Sequence, residues 1–289
     1  SPPLLFPTIP PIALISRDQM PNGALAPTEV AKYLTSSEPL LRETAAWIIS
    51  RHADWGETLA GYLRERLAAG ELTDAEQKTL GQQLAQFATA ASVQELLAAT
   101  VRDTKLPTSV RLTALGAMLD SKLKELPKSW SAALLAVLGE DDLTLISLAV
   151  NTARTIAPAK EDAAAWRKPL LLVAKTRRDL AANPGETGQR TLPVDALAAL
   201  PGGLAANEAE NELFDLLLSQ LVPDLSVAQR GIASEVISKA KLTPAQLTRL
   251  TEQFATAGPL EVDRLLGAFE QTTDEQVGQK LIAQLKTAP

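Results

Sequence analysis

Apolar residues recur along this chain at helical rather than strand spacing, and that leaves room for little except packed helices. Leu41, Ala45, Ile48 and Ile49 fall at i, i+4, i+7 and i+8, on one face of a helix. Leu112, Leu115 and Leu119; Leu247, Leu250 and Phe254; and Val262, Leu265, Leu266 and Phe269 make similar stripes. Period-two runs of β-branched or aromatic residues are missing, and alanine supplies roughly one residue in six. The pattern predicts an all-α fold of about a dozen or more helices, each roughly 10 to 17 residues long and apolar on one side only.

Start signals punctuate the stripes. Thr73-Asp74-Ala75-Glu76 and Thr273-Asp274-Glu275-Gln276 read as capping boxes, in which hydroxyl and N3 side chain satisfy each other's free amides. Thr243-Pro244-Ala245-Gln246 places proline at the first helical position, and Pro39, Pro107, Pro127 and Pro259 mark further starts.

The helix starts also resemble one another. Leu40-Leu41-Arg42-Glu43-Thr44-Ala45-Ala46 matches Ser109-Val110-Arg111-Leu112-Thr113-Ala114-Leu115, and looser versions surround Arg230 and Arg264. Arg42 and Arg111 lie 69 residues apart and Arg230 and Arg264 lie 34 apart, two units and one unit of a helix-pair repeat. The expected architecture is an α-solenoid of HEAT-like helix pairs. A tetratricopeptide array suits a spacing of 34, but its Trp, Leu-Gly and Tyr signature is not found.

Proline and glycine divide the chain. Residues 1–27 are proline-rich, expected not to sustain a helix and to serve as a linker or lead-in segment. Residues 28–182 and 206–289 carry N-terminal and C-terminal repeats. Between them, 183–205 holds Asn183-Pro184-Gly185 and Pro201-Gly202-Gly203 at the ends of a short apolar segment, a long loop with one short helix or a hinge. The chain begins Ser1-Pro2-Pro3 without an initiator Met and reads as a piece of something longer.

Composition narrows the chemistry. With no Cys and His52 as the single histidine, thiol nucleophiles, thiolate clusters and multi-histidine zinc centres are excluded within this chain. A formal charge of −6 and a pI of about 5.1 oppose binding to nucleic acid. No apolar run approaches the roughly 20 residues of a membrane span. Phosphate-loop, Gly-x-Ser-x-Gly and His-Glu-x-x-His motifs are absent, and no cofactor is expected.

His52 ends the helix opened by Pro39, where an imidazole complements the helix C-terminus. Trp47, Trp55, Trp130 and Trp166 read as helix-interface residues. Glu140-Asp141-Asp142 reads as a helix N-terminus, and Glu208, Glu210, Glu212 and Asp215 as a solvated acidic face. Arg167, Lys168, Lys175, Arg177 and Arg178 bracket Pro169 to Ala174 and form the candidate partner-binding patch, able to receive an acidic partner.

Two segments resemble a known family. Pro39-Leu40-Leu41-Arg42-Glu43-Thr44-Ala45-Ala46-Trp47, ending in His52-Ala53-Asp54-Trp55-Gly56, resembles the HEAT-like helical segment of large multidomain proteins of planctomycete-type bacteria. Ala257-Gly258-Pro259-Leu260, Leu265 to Phe269 and Val277 to Leu281 are similar to that family's last repeats. The resemblance implies an exported, periplasmic or cell-surface protein with a dehydrogenase-type propeller before this segment and a c-type haem domain after it. The haem-attachment motif has no counterpart in a chain without Cys. The expected function is a non-catalytic scaffold or spacer, its partners being proteins or neighbouring domains of the same polypeptide. The alternative is an all-helical enzyme with a carboxylate-lined cavity.

Overall fold

The computed structural model describes residues 11–20, 25–69, 72–181, 187–205 and 211–286. Within them the fold is all-α, and the extended pairing described is one isolated bridge, Glu125 with Ala157. These residues fall into two compact units. The first runs to Leu123 and includes Pro127–Ala133; the second comprises Lys124–Leu126 and the residues from Leu134 onward.

In the first unit the helices are α1 (Pro11–Gln19), α2 (Pro27–Ala31), α3 (Pro39–Arg51), α4 (Gly56–Ala68), α5 (Asp74–Gln86), α6 (Ala91–Arg102) and α7 (Thr108–Asp120), with α8 (Lys128–Val137) running across the division. Each helix is one-sided, so it must bury its stripe on a neighbour, and the neighbour is often the helix two places along. α1 packs on α3, α2 on α4, α4 on α6 and α5 on α7. The α3 stripe is buried as expected, with Leu41, Ala45, Ile48 and Ile49 all closed to solvent. Thr73 and Glu76 make the expected capping box at the start of α5.

Residues 1–27 depart from the expectation of a helix-free lead-in. Pro11 opens α1, and the residues after it carry no further proline, so the helix continues to Gln19. Leu14 is fully buried, and Arg17 pairs with Glu29 at 2.9 Å. Residues 1–10 and 21–24 of that segment lie outside the described residues.

The second unit contains α9 (Leu143–Thr155), α10 (Ala163–Thr176), α11 (Thr187–Arg190), α12 (Leu192–Ala198), α13 (Asn211–Ser219), α14 (Val227–Lys239), α15 (Pro244–Leu250), α16 (Pro259–Leu266) and α17 (Glu275–Leu285). The same next-but-one packing recurs: α10 on α12, α12 on α14, α14 on α16 and α15 on α17. The apolar segment inside 183–205 is α12, with Leu192, Val194, Ala196 and Leu197 buried against those neighbours. Gly203 closes α12 onto α14: its φ is +73°, and a Cβ there would stand 2.9 Å from the Lys239 carbonyl oxygen, so only glycine fits. Residues 183–186 lie outside the described residues.

Capping in this unit goes beyond the sequence reading. Ser226 with Gln229 and Thr243 with Gln246 form reciprocal boxes. At α17 the cap is Asp274 rather than Thr273: the Asp274 carboxylate accepts from the amides of Gln276 and Val277. A carboxylate one residue nearer the helix takes the free amides with charge as well as geometry.

Polar contacts between packed helices bridge a narrow range of sequence separations. In the first unit Gln86 donates to the Ile49 carbonyl, 37 residues away, and the Trp130 indole donates to the Gln94 carbonyl, 36 away. In the second, Arg249 pairs with Asp215 across 34 residues, Arg264 donates to the Gly231 carbonyl across 33, and Arg230 pairs with Glu261 across 31. Arg154 with Asp195 is wider, at 41.

Candidate functional site

The residues singled out in the sequence are mostly engaged in holding helices together. Arg167 donates to the carbonyls of Pro201 and Gly203, Arg177 lies 3.6 Å from Asp141, and Arg178 pairs with Glu212 at 2.5 Å. Arg167, Lys168, Lys175, Arg177 and Arg178 share one helix and its exit, and Arg167, Arg177 and Arg178 direct donors to partners within the second unit. Glu212 and Asp215 are likewise salt-bridge partners, whereas Glu208 and Glu210 lie outside the described residues.

His52 stands at the C-cap of α3, as read from sequence, but its Nε2 meets a carboxylate: Asp18 Oδ1 on α1, 2.6 Å away and almost closed to solvent. The imidazole stacks on Trp55 at 4.1 Å with the rings 8° from parallel. That contact fastens α1 to α3. Trp55, Trp130 and Trp166 are buried, as interface residues should be. Trp47 differs from that reading. It is 41% exposed, with the Arg51 guanidinium 4.9 Å from its ring centroid, because it stands on the side of α3 away from the Leu41–Ile49 stripe.

A groove of about 850 Å³ lies in the first unit between α3, α4, α5 and the 3-10 turn Lys32–Thr35. Leu34, Ala46, Ala75 and Leu80 give it apolar surface. Arg42 and Glu43 come from α3, Tyr62 and Arg66 from α4, and Glu76 and Gln83 from α5. Arg42 donates one Nη to the Ser36 carbonyl at 2.7 Å. Glu76 is committed: one oxygen receives the Thr73 amide and hydroxyl, and the other lies 3.5 Å from Arg66. Those Thr73 hydrogen bonds hold its carboxyl below the ordinary value. Burial pushes the Tyr62 phenol up, and the Arg66 guanidinium pulls it partly back. The Tyr62 hydroxyl, the Gln83 amide and the Glu43 carboxylate make no hydrogen bond or ion pair among the described residues.

A smaller concavity of about 270 Å³ in the second unit is lined by α12, the Gly202-Gly203 turn and α14. Glu235 is the carboxylate on its wall and pairs with Lys239 at 2.7 Å, which holds it below its ordinary value. Asp195, on α12, is 6% exposed and pairs with Arg154 at 2.7 Å. Burial raises its carboxyl, against the hydrogen bond from Thr191 and the Arg154 charge. Among the described residues no three His, Asp or Glu side chains gather closely enough to hold a metal ion. No described helix is long and apolar enough to cross a membrane.

The Asp195 environment predicts a pH effect. A carboxyl raised in the folded state favours folding in its protonated form, so its contribution grows as pH falls through its raised value and is lost as pH rises through it. Asp195→Asn cannot titrate. Between neutral pH and the acid edge of the carboxylate range, the melting temperature of the variant should fall further than that of the wild type, as measured by calorimetry at several pH values.

The groove residues were not found from sequence because they sit on three helices whose juxtaposition is tertiary. At about 100° per residue, Leu40 and Trp47 fall outside the buried stripe of α3 and stand exposed. No protein-family model matches the chain, and no curated protein matches it.

Proposed function

We propose that this chain is an α-solenoid of HEAT-like helix pairs, a non-catalytic scaffold that docks proteins or neighbouring domains. The observation that carries the reading is the packing of helices on their next-but-one neighbours, tied by polar contacts that bridge 31 to 37 residues. That is the length of one helix pair, matching the 34 residues between Arg230 and Arg264. Each pair leaves its stripe uncovered alone and buries it on the next, the defining economy of repeat folds. Function then lies in surface shape and side-chain display rather than in a reaction centre. In the larger setting implied by the family resemblance, the segment would hold flanking domains of an exported protein apart. An enzyme reading calls for convergent carboxylates in a closed cavity, and Asp195 is instead consumed by Arg154 and Thr191.

The test uses the immobilised chain as bait in an extract of the source organism, with free chain as competitor, beside a thermal-shift screen of metabolites. A protein retained reproducibly and displaced by the competitor is the expected result. A metabolite that raises the melting temperature, with no protein retained, would overturn the scaffold reading.

A further inference from the structure

Few contacts hold α1 to the first unit. Leu14 is the one residue of the helix closed to solvent, and two ion pairs join it: Arg17 with Glu29 of α2 at 2.9 Å, and Asp18 with His52 at 2.6 Å. A helix of 9 residues does not sustain itself in water, so α1 is helical while it stays docked.

The second pair is unequal. The Asp18 side chain is 4% exposed, whereas the imidazole is 30% exposed and can exchange protons with water. Stacking on Trp55 fixes the ring plane, so Nε2 stays on Asp18 and Nδ1 is the nitrogen that gains or loses the second proton. Asp54 Oδ1 lies 3.9 Å from Nδ1, beyond hydrogen-bond length, on a side chain 80% exposed. The neighbouring cations are engaged elsewhere: Arg17 on Glu29, and Arg51 over the ring of Trp47. The charge that offsets a buried Asp18 carboxylate is therefore that of His52. Histidine is the side-chain type whose charge changes between about pH 5 and 8, and His52 is the single histidine of the chain.

We propose that the His52–Asp18 pair is a pH-operated latch, which keeps α1 docked on α3 in mildly acidic solution and releases it as pH rises past neutrality. Loss of the Nδ1 proton spares the Nε2 hydrogen bond but removes the counter-charge, and the stranded Asp18 carboxylate regains its hydration when α1 lifts away. The docked state favours the charged imidazole, so the contribution of the pair is present at the acid end of this range and is lost as pH rises through it. In strong acid Asp18 is itself neutralised and the pair is lost again. Release uncovers the α3 surface beneath α1, while α4 to α7, packed on one another, stay folded.

The experiment is amide hydrogen exchange on the full chain at about pH 5.5 and about pH 8.5, either side of the histidine range, with exchange times scaled for the intrinsic rate. From the lower pH to the higher, protection of the α1 amides should fall about ten-fold or more relative to α4 to α7. His52→Gln keeps a donor but cannot charge, and should show the low protection of α1 at both pH values. Asp18→Asn removes the buried charge and should make α1 indifferent to pH. Protection in α4 to α7 reports whether each variant is folded. Should a variant fail to fold, the wild type still decides: its single imidazole signal in proton NMR should titrate at the same midpoint as the loss of α1 protection. Unchanged α1 protection in the wild type, a pH response that survives in either variant, or separate midpoints would overturn the proposal.

Discussion

Trp130→Ala should destabilise the protein by about 3–5 kcal/mol, a large share of the roughly 5–15 kcal/mol that holds a domain together. Trp130 is fully buried, and its indole N–H reaches the Gln94 carbonyl at 3.0 Å. Truncation removes the apolar area, leaves a cavity, and takes the indole donor from a part-buried carbonyl. Trp130→Phe keeps most of the volume and loses the hydrogen bond alone, so it should cost about 1–2 kcal/mol. Urea unfolding followed by circular dichroism separates the two. Similar losses for both variants would mean that the indole hydrogen bond, not packing, dominates.

The second large effect is asymmetric. Glu261 is 3% exposed and receives Arg230 Nε at 3.1 Å, while the same guanidinium donates to the carbonyls of Pro223 and Leu225. Arg230→Ala leaves a carboxylate buried without its counter-charge and two carbonyls short of a donor, at a cost of about 3–5 kcal/mol. Glu261→Gln leaves a neutral acceptor in the same place and should cost about 1–2 kcal/mol. Equal losses in denaturant titrations would show that the pair acts as a unit rather than through the stranded charge.

Local signals were the legible ones. The α3 stripe, the Thr73 box and the Asp142 cap depend on residues within one or two turns, and the geometry of a helix fixes their consequences without a tertiary fold. α1 departs from the expectation of a helix-free lead-in because proline acts by position rather than abundance; Pro11 starts the helix instead of breaking it. Part of the candidate basic patch also takes up contacts within the fold. Arg178 and Arg249 each find an acid 34 residues away, and opposite charges at that spacing pair Arg178 with Glu212 and Arg249 with Asp215. The groove had no such signal, because Arg42, Tyr62 and Gln83 meet only through the packing of three helices.

A nearest-neighbour stack is tested most directly by native-state hydrogen exchange on Phe254→Ala. Phe254 is fully buried, with its ring 5.8 Å from that of Phe269. In a repeat fold, stability is a sum of local units and neighbour interfaces, so damage stays close to where it is made. The predicted result is a loss of amide protection in α14 to α17, fading within about one helix pair, with α3 to α7 unchanged. A uniform fall in protection from α1 to α17 would contradict the repeat architecture and the scaffold function built on it.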